Sequence, residues 1–233
     1  MAVKACLNGG RARSEHPGVP RTPSELAAAA VAVRRAGAFA VHIHPRDAGG
    51  AETLRADACD AAVAAIRRAA RGLPVGLSTA ESIERDPFAR AAAIKTWREP
   101  PDFVSVNLSE LGWAGIVRAA LRAGIGVEAG LRTEADAEEL AHSPFWHQIV
   151  RVLVEVDGGA EDARAVAQLV PASVPQLWHG RGPRTWEVMA SAAAAGHDVR
   201  VGLEDVLTMP DGSKAPSNVE LITAAVRLTA HQS

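Results

Sequence analysis

Residues 22–44 read TPSELAAAAVAVRRAGAFAVHIH, one full unit of the pattern that decides the fold. Thr22-Pro23-Ser24-Glu25 is a capping box with proline at the first helical position, where the missing N–H costs nothing. Leu26, Ala29, Ala30 and Val33 then recur at helical spacing on one face. Gly37 closes the helix, and the residues at 38–44 form a β-rich run ending in two histidines.

The same unit repeats along the chain. Strands are expected at 3–8, 38–44, 75–78, 102–107, 126–129, 151–156, 176–179 and 199–203, each followed by an Ala/Arg/Glu-rich helical stretch. Asp86-Pro87 opens the third helix, and Ser217-Asn218-Val219-Glu220 repeats the capping pattern before the last. Gly72, Gly124 and Gly196 fall, like Gly37, where helices end. Strand and helix alternating eight times predict an α/β fold, the (β/α)8 TIM barrel, as a single compact domain over residues 1–233. The competing doubly wound sheet needs a Gly-rich phosphate loop after its first strand. Asn8-Gly9-Gly10-Arg11 lacks the third glycine and runs into a Pro-rich loop.

Composition narrows the function classes. A net charge of -2 gives no electrostatic reason to expect a nucleic-acid partner. Cys6 and Cys59 are too few for a disulfide framework or a four-thiolate zinc site. No apolar run approaches the roughly 20 residues that span a bilayer. The N-terminus lacks a basic-then-apolar leader, so a cytoplasmic protein is expected.

A barrel carries its chemistry at the C-terminal ends of its strands. Those ends are polar here: Asn8, His42, His44, Ser78, Asn107, Glu128, Glu155, His179 and Glu204-Asp205. His42 and His44 are two apart in a strand and project to the same side. Two imidazoles, one carboxylate and an open position make a common catalytic zinc set. Glu204 is the first choice for the carboxylate and Glu128 the second, and the pair can equally be hydrogen-bonded without metal. Arg200 lies near Asp205, an arrangement that holds a carboxylate ionised for use as a base beside a carbonyl, or simply closes the barrel as an ion pair. His179 either joins the mouth or anchors its strand. His16, His142, His147, His197 and His231 are expected on the surface, and Arg67, Arg68 and Arg71 on a solvated helix face. Trp97, Trp113, Trp146 and Trp186 are assigned to packing or to an interface.

Asn8-Gly9-Gly10, Pro20-x-Thr22-Pro23-x-Glu25, His42-Ile43-His44-Pro45-Arg46-Asp47, Ser78-Thr79, Val104-Ser105-Val106-Asn107, Val127-Glu128 and Gly202-Leu203-Glu204-Asp205 occur in this order, with Asn218 near the end. The ordered set resembles the β-keto acid cleavage enzymes over nearly the whole chain. The resemblance implies a zinc-dependent barrel that condenses a β-keto acid with acetyl-CoA and releases acetoacetate and a new acyl-CoA. By similarity, zinc is held by His42, His44 and Glu204. Arg200 and Asp205 form the base dyad, with Ser78 as a further catalytic residue. The family's strand-four polar residue falls on Ser105 and its strand-five glutamate on Glu128, which is either a substrate contact or a structural hydrogen-bond acceptor; Asn107, Asn8 and Arg11 are further expected substrate contacts of this chain. The family's first-loop glutamate has no counterpart in Gly9-Gly10-Arg11-Ala12-Arg13. Its loss argues against an amino-keto acid, and Arg11 or Arg13 suits an anionic substrate. The chain is also short for the family in its loops and tail, which bear on the acyl-CoA entrance. A homo-oligomer, dimer or tetramer, is expected with no membrane partner. Two other readings compete: a CoA-independent metal-dependent aldolase or hydrolase, and a catalytically silent barrel that binds metal or a metabolite.

Overall fold

Strands and helices alternate from end to end in the computed structural model, which describes residues 1–230. His231 therefore lies outside the described residues. The order is β1 (Val3–Cys6), α1 (Pro23–Arg35), β2 (Ala38–Ile43), α2 (Ala56–Ala69), β3 (Val75–Ser78), α3 (Pro87–Ile94), β4 (Phe103–Asn107) and α4 (Trp113–Arg122). It continues with β5 (Gly126–Leu131), α5 (Glu134–His142), β6 (Arg151–Val156), α6 (Ala160–Gln168), β7 (Gln176–Gly180), α7 (Thr185–Ala194), β8 (Asp198–Val201) and α8 (Asn218–Ala230). The strands pair in sequence order, all parallel, and β8 closes on β1 with Arg200 opposite Lys4. The expected TIM barrel is the observed fold.

Local signals place the helices as read. The Thr22 hydroxyl accepts from Glu25 N, and the Glu25 carboxylate accepts from Thr22 N. A cap of this kind is worth about 1 kcal/mol. Asp86 caps α3 by accepting from Phe88 N at 2.9 Å. The buried face of α1 is Leu26, Ala27, Ala30 and Val33. Strand ends were read less well. β5 runs two residues beyond Ala129, while β1 and β8 stop two short of the expected limits.

Alternation along each strand divides the side chains between two cores. Val3, Ala5, Leu7, Val41, Ile43, Val127, Ala129, Val152 and Val154 pack outward in the apolar layer beneath the helices. Lys4, His42, His44, Glu128, Glu155, His179 and Arg200 therefore face the barrel axis, because successive strand residues point to opposite sides. The deep part of that interior is charged. Lys4 pairs with Glu128, both side chains fully buried, and Arg151 Nε lies 3.1 Å from the other Glu128 oxygen. Among the described residues, no helix is long and apolar enough to cross a membrane.

Of the four named tryptophans, Trp97 and Trp113 are buried in packing, and Trp146 and Trp186 are half-buried. Trp97 is buried and donates to Leu54 O, and Trp113 is buried and donates to Glu139. His16 corrects its expected place: it is buried, not on the surface. Its Nδ1 accepts from Gly18 N, and its Nε2 sits 2.8 Å from Ala215 O, tying the first loop to the segment before α8.

Candidate metal centre and barrel mouth

The end of β2 brings His42 Nε2 within 3.2 Å of His44 Nε2. The turn after β8 brings Glu204 Oε1 to 3.8 Å from His42 Nε2 and 3.6 Å from His44 Nε2. Two glycines permit this approach. A Cβ on Gly9, whose φ is +52°, would stand 2.5 Å from Glu204 Cγ. A Cβ on Gly202 would stand 1.8 Å from Cys6 O. The first loop and the β8 turn can close on one another only because both side chains are absent.

Hydrogen bonds around these three residues hold them in place. Asn8 donates to His44 O at 2.8 Å and accepts from His44 N at 2.9 Å. The Glu52 carboxylate bonds His44 Nδ1, which leaves Nε2 aimed at Glu204. A carboxylate behind an imidazole is the usual support of a metal-ligating histidine. Arg200 Nη2 donates to Glu204 Oε1 and to Asp205 Oδ1, each at 2.6 Å.

Electrostatics sort the ligands by charge. Burial holds His42 well below the ordinary histidine value, so it is a neutral imidazole. Burial opposes a charge on His44 too, but Glu204 and Glu52 outweigh it and raise that group to about 9. Burial would raise Glu204, yet Arg200 and the two imidazoles hold its carboxyl well below the usual range. Facing donor atoms from the three residues lie within 4.8 Å of one another. Glu204 Oε2 is buried with no hydrogen-bond partner. Two imidazoles, one ionised carboxylate and unspent acceptor capacity fit a divalent cation.

The centre opens into a cavity of about 700 Å³. Of the other expected site residues, Ser78, Ser105, Asn107, Arg11, Arg200 and Asp205 line it. Asn107 donates to Glu110, and Arg11 donates to Glu15 and to Glu204 O. Glu128 does not reach it. β5 continues to Leu131, so Glu128 sits below the mouth and is spent on Lys4 and Arg151. Of its two expected roles Glu128 therefore takes the structural one rather than that of a substrate contact, and its standing as second choice of ligand is corrected. Asn8 is likewise corrected from cavity contact to backbone clamp, since it is fully buried behind His44. Arg13 points away and pairs with Glu25.

His179 is fully buried, with Nε2 3.3 Å from Glu155 Oε2 and Nδ1 3.6 Å from Asp205 Oδ1. Burial, with Arg200 nearby, pushes it down to about 3, so it stands neutral between two carboxylates. Glu52, Arg132 and Arg181 are among the cavity residues that escaped the sequence reading. Arg132 and Arg181 each follow directly on a strand, so their signal was present but hidden by ends placed too early. Glu52 lies in the loop eight residues beyond His44, where periodicity carries no information.

A closed parallel barrel with a buried His-His-Glu set at its mouth defines a TIM barrel able to hold a divalent metal ion. The chain belongs to the β-keto acid cleavage enzyme family, whose model matches residues 1–145 and 137–232. It is 23% identical to the 3-keto-5-aminohexanoate cleavage enzyme of Fusobacterium nucleatum subsp. nucleatum, over 98% of this chain and 90% of that one. Among solved structures it resembles the ternary complex of ObcA with a C4-CoA adduct and oxalate. The TM-score is 0.77 at 18% identity, covering 93% of this chain and 64% of that chain. The chain thus spans less than two thirds of ObcA. The 3-hexulose-6-phosphate synthase of Salmonella typhimurium shares the barrel with a TM-score of 0.59 at 14% identity, over 100% of both chains.

Proposed function

We propose that this chain is a zinc-dependent β-keto acid cleavage enzyme, which converts a β-keto acid and acetyl-CoA into acetoacetate and a new acyl-CoA. The observation that carries the reading is the His42–His44–Glu204 set with the Arg200–Asp205 pair beside it, at the floor of one cavity. Family membership supports the same reaction.

Zinc held by His42, His44 and Glu204 would supply Lewis-acid polarisation of the keto acid's oxygens, which acidifies the carbon between keto group and carboxylate. Asp205 accepts the α-proton. Arg200, donating to it through Nε and Nη2, keeps its carboxylate oriented. The substrate carbanion attacks the acetyl carbonyl and expels the CoA thiolate. That thiolate attacks the substrate's own keto carbon, and the original carbon–carbon bond breaks towards acetoacetate. Asp205 returns its proton to the departing carbon. Ser78, Ser105 and Asn107 line the same cavity and offer neutral donors to the oxyanions formed at each carbonyl. The same reading includes a cytoplasmic homo-oligomer, dimer or tetramer.

The test is metal analysis of tag-free protein together with a screen of β-keto acids with acetyl-CoA. One zinc per chain and acetoacetate formed support the reading. Zinc without acetoacetate moves it to CoA-independent aldolase or hydrolase chemistry, and no metal removes it.

A further inference from the structure

Beyond His179 the cavity wall changes character. Arg132, the residue after β5, and Arg181, the residue after β7, converge on Glu155 in β6. Arg132 Nη2 lies 3.4 Å from Glu155 Oε1, and Arg181 contacts the same oxygen. Two guanidiniums share one carboxylate, so one positive charge is left over at this wall. Glu155 itself is buried, whereas the arginine side chains are 35% and 47% exposed and line the cavity. Arg132 Nε is buried without a hydrogen-bond partner. Arg181 is held below the usual guanidinium range by burial and by the neighbouring Arg132 and Arg200, which Asp205 and Glu204 only partly offset. Crowded cations of this kind are relieved by an anion.

We infer that Arg132 and Arg181 form an anion subsite for a second carboxylate, so that the acid taken by this barrel is a β-keto dicarboxylate. The inference rests on the proposed function and names its substrate class. Position supports it. Arg181 reaches Asp205 through Glu155 and a single imidazole, by contacts of 3.3 Å and 3.6 Å beyond the guanidinium. Both arginines line the same cavity as Asp205, and Gly182, next to Arg181, donates its N–H to Asp205 O at 2.9 Å, so the far end of a short diacid whose α-carbon lies at Asp205 is directed to this wall. The phosphates of CoA sit at the other end of the pantetheine arm from the thioester, much farther from the reacting carbon. The first-loop arginines do not compete for this role: Arg13 points away to Glu25, and Arg11 is engaged with Glu15 and Glu204 O.

The experiment compares wild type, Arg132→Gln and Arg181→Gln in two ways. Calorimetry measures binding of glutarate against butyrate, a diacid and a monoacid that do not react. Kinetics measure kcat/KM for β-keto acids ending in a carboxylate or a methyl group, with KM for acetyl-CoA taken in the same series. Wild type is expected to prefer the diacid by about tenfold or more in both assays, and each variant to lose most of that preference, because a guanidinium–carboxylate bond is charge-assisted. Equal binding of the two acids by wild type, or a preference that survives both substitutions, overturns the subsite. A raised KM for acetyl-CoA with the acid preference intact assigns the arginines to a CoA phosphate and also overturns it. If no β-keto acid turns over, the functional reading fails, while the glutarate–butyrate comparison still decides the subsite.

Discussion

Asn8 and His44 are joined by two hydrogen bonds, one in each direction, between an asparagine amide in the first loop and the histidine's own backbone. A side chain thus imitates a strand partner where β1 has ended, and holds His44 level with Glu204. Asn8→Ala leaves a buried N–H and C=O unpaired, which costs about 2 kcal/mol of stability. Urea unfolding would measure that loss, and metal titration of the folded fraction should show weaker binding. Unchanged stability would mean that the clamp is dispensable.

Glu52 is expected to act through His44. Glu52→Gln should lower metal affinity by about 10–100-fold, the usual effect of losing a carboxylate behind a metal-bound imidazole. Competition against a chromogenic chelator would read it. Wild-type affinity in the variant would show that Glu52 does not orient the ring.

Glu128→Gln should destabilise the barrel by about 3 kcal/mol, because it strands the fully buried Lys4 ammonium without its carboxylate. Turnover per folded molecule should stay at the wild-type level. A normal melting curve with altered substrate KM would return Glu128 to the substrate contacts.

His179 makes stability sensitive to acid. Its pKa is near 3 in the folded chain against an ordinary 6.5, so below 6.5 the unfolded state binds a proton that the native state refuses. Its contribution is therefore complete above about pH 6.5 and falls by about 1.4 kcal/mol per pH unit towards pH 3. His179→Gln should flatten the stability profile between pH 6.5 and 5, where most carboxylates are still ionised. An identical slope in both proteins would contradict the assignment.

Much of this molecule was legible because its signals are local. The Thr22 capping box, the Asp86 cap and the glycines after α1, α2, α4 and α7 mark the repeat without reference to distant residues. His42 and His44 were legible because a two-residue period puts both on the barrel axis. Glu128 stayed undecided and Asn8 was misread because their partners are remote. Lys4 lies 124 residues from Glu128, and nothing near Glu128 announces a buried cation. His16 failed for the same reason, its partner Ala215 being 199 residues away. Arg132 was hidden by a strand end placed two residues early, which pushed it into an apparent loop.

Asp205→Asn should retain metal and lose α-proton exchange, since Arg200 still has Glu204 and the new amide to bond but the site has no base. Deuterium exchange at the α-carbon, followed by NMR, reads this step apart from CoA transfer. Exchange at the wild-type rate would exclude Asp205 as the base.

The central claim is most directly tested by the fate of the acetyl group. With acetyl-CoA carrying 13C in both acetyl carbons and an unlabelled β-keto acid, the account predicts acetoacetate labelled in its methyl and keto carbons only, formed by the metal-loaded enzyme and lost in His44→Ala. Acetoacetate without label, or equal label from protein lacking the His42–His44–Glu204 metal, would contradict it.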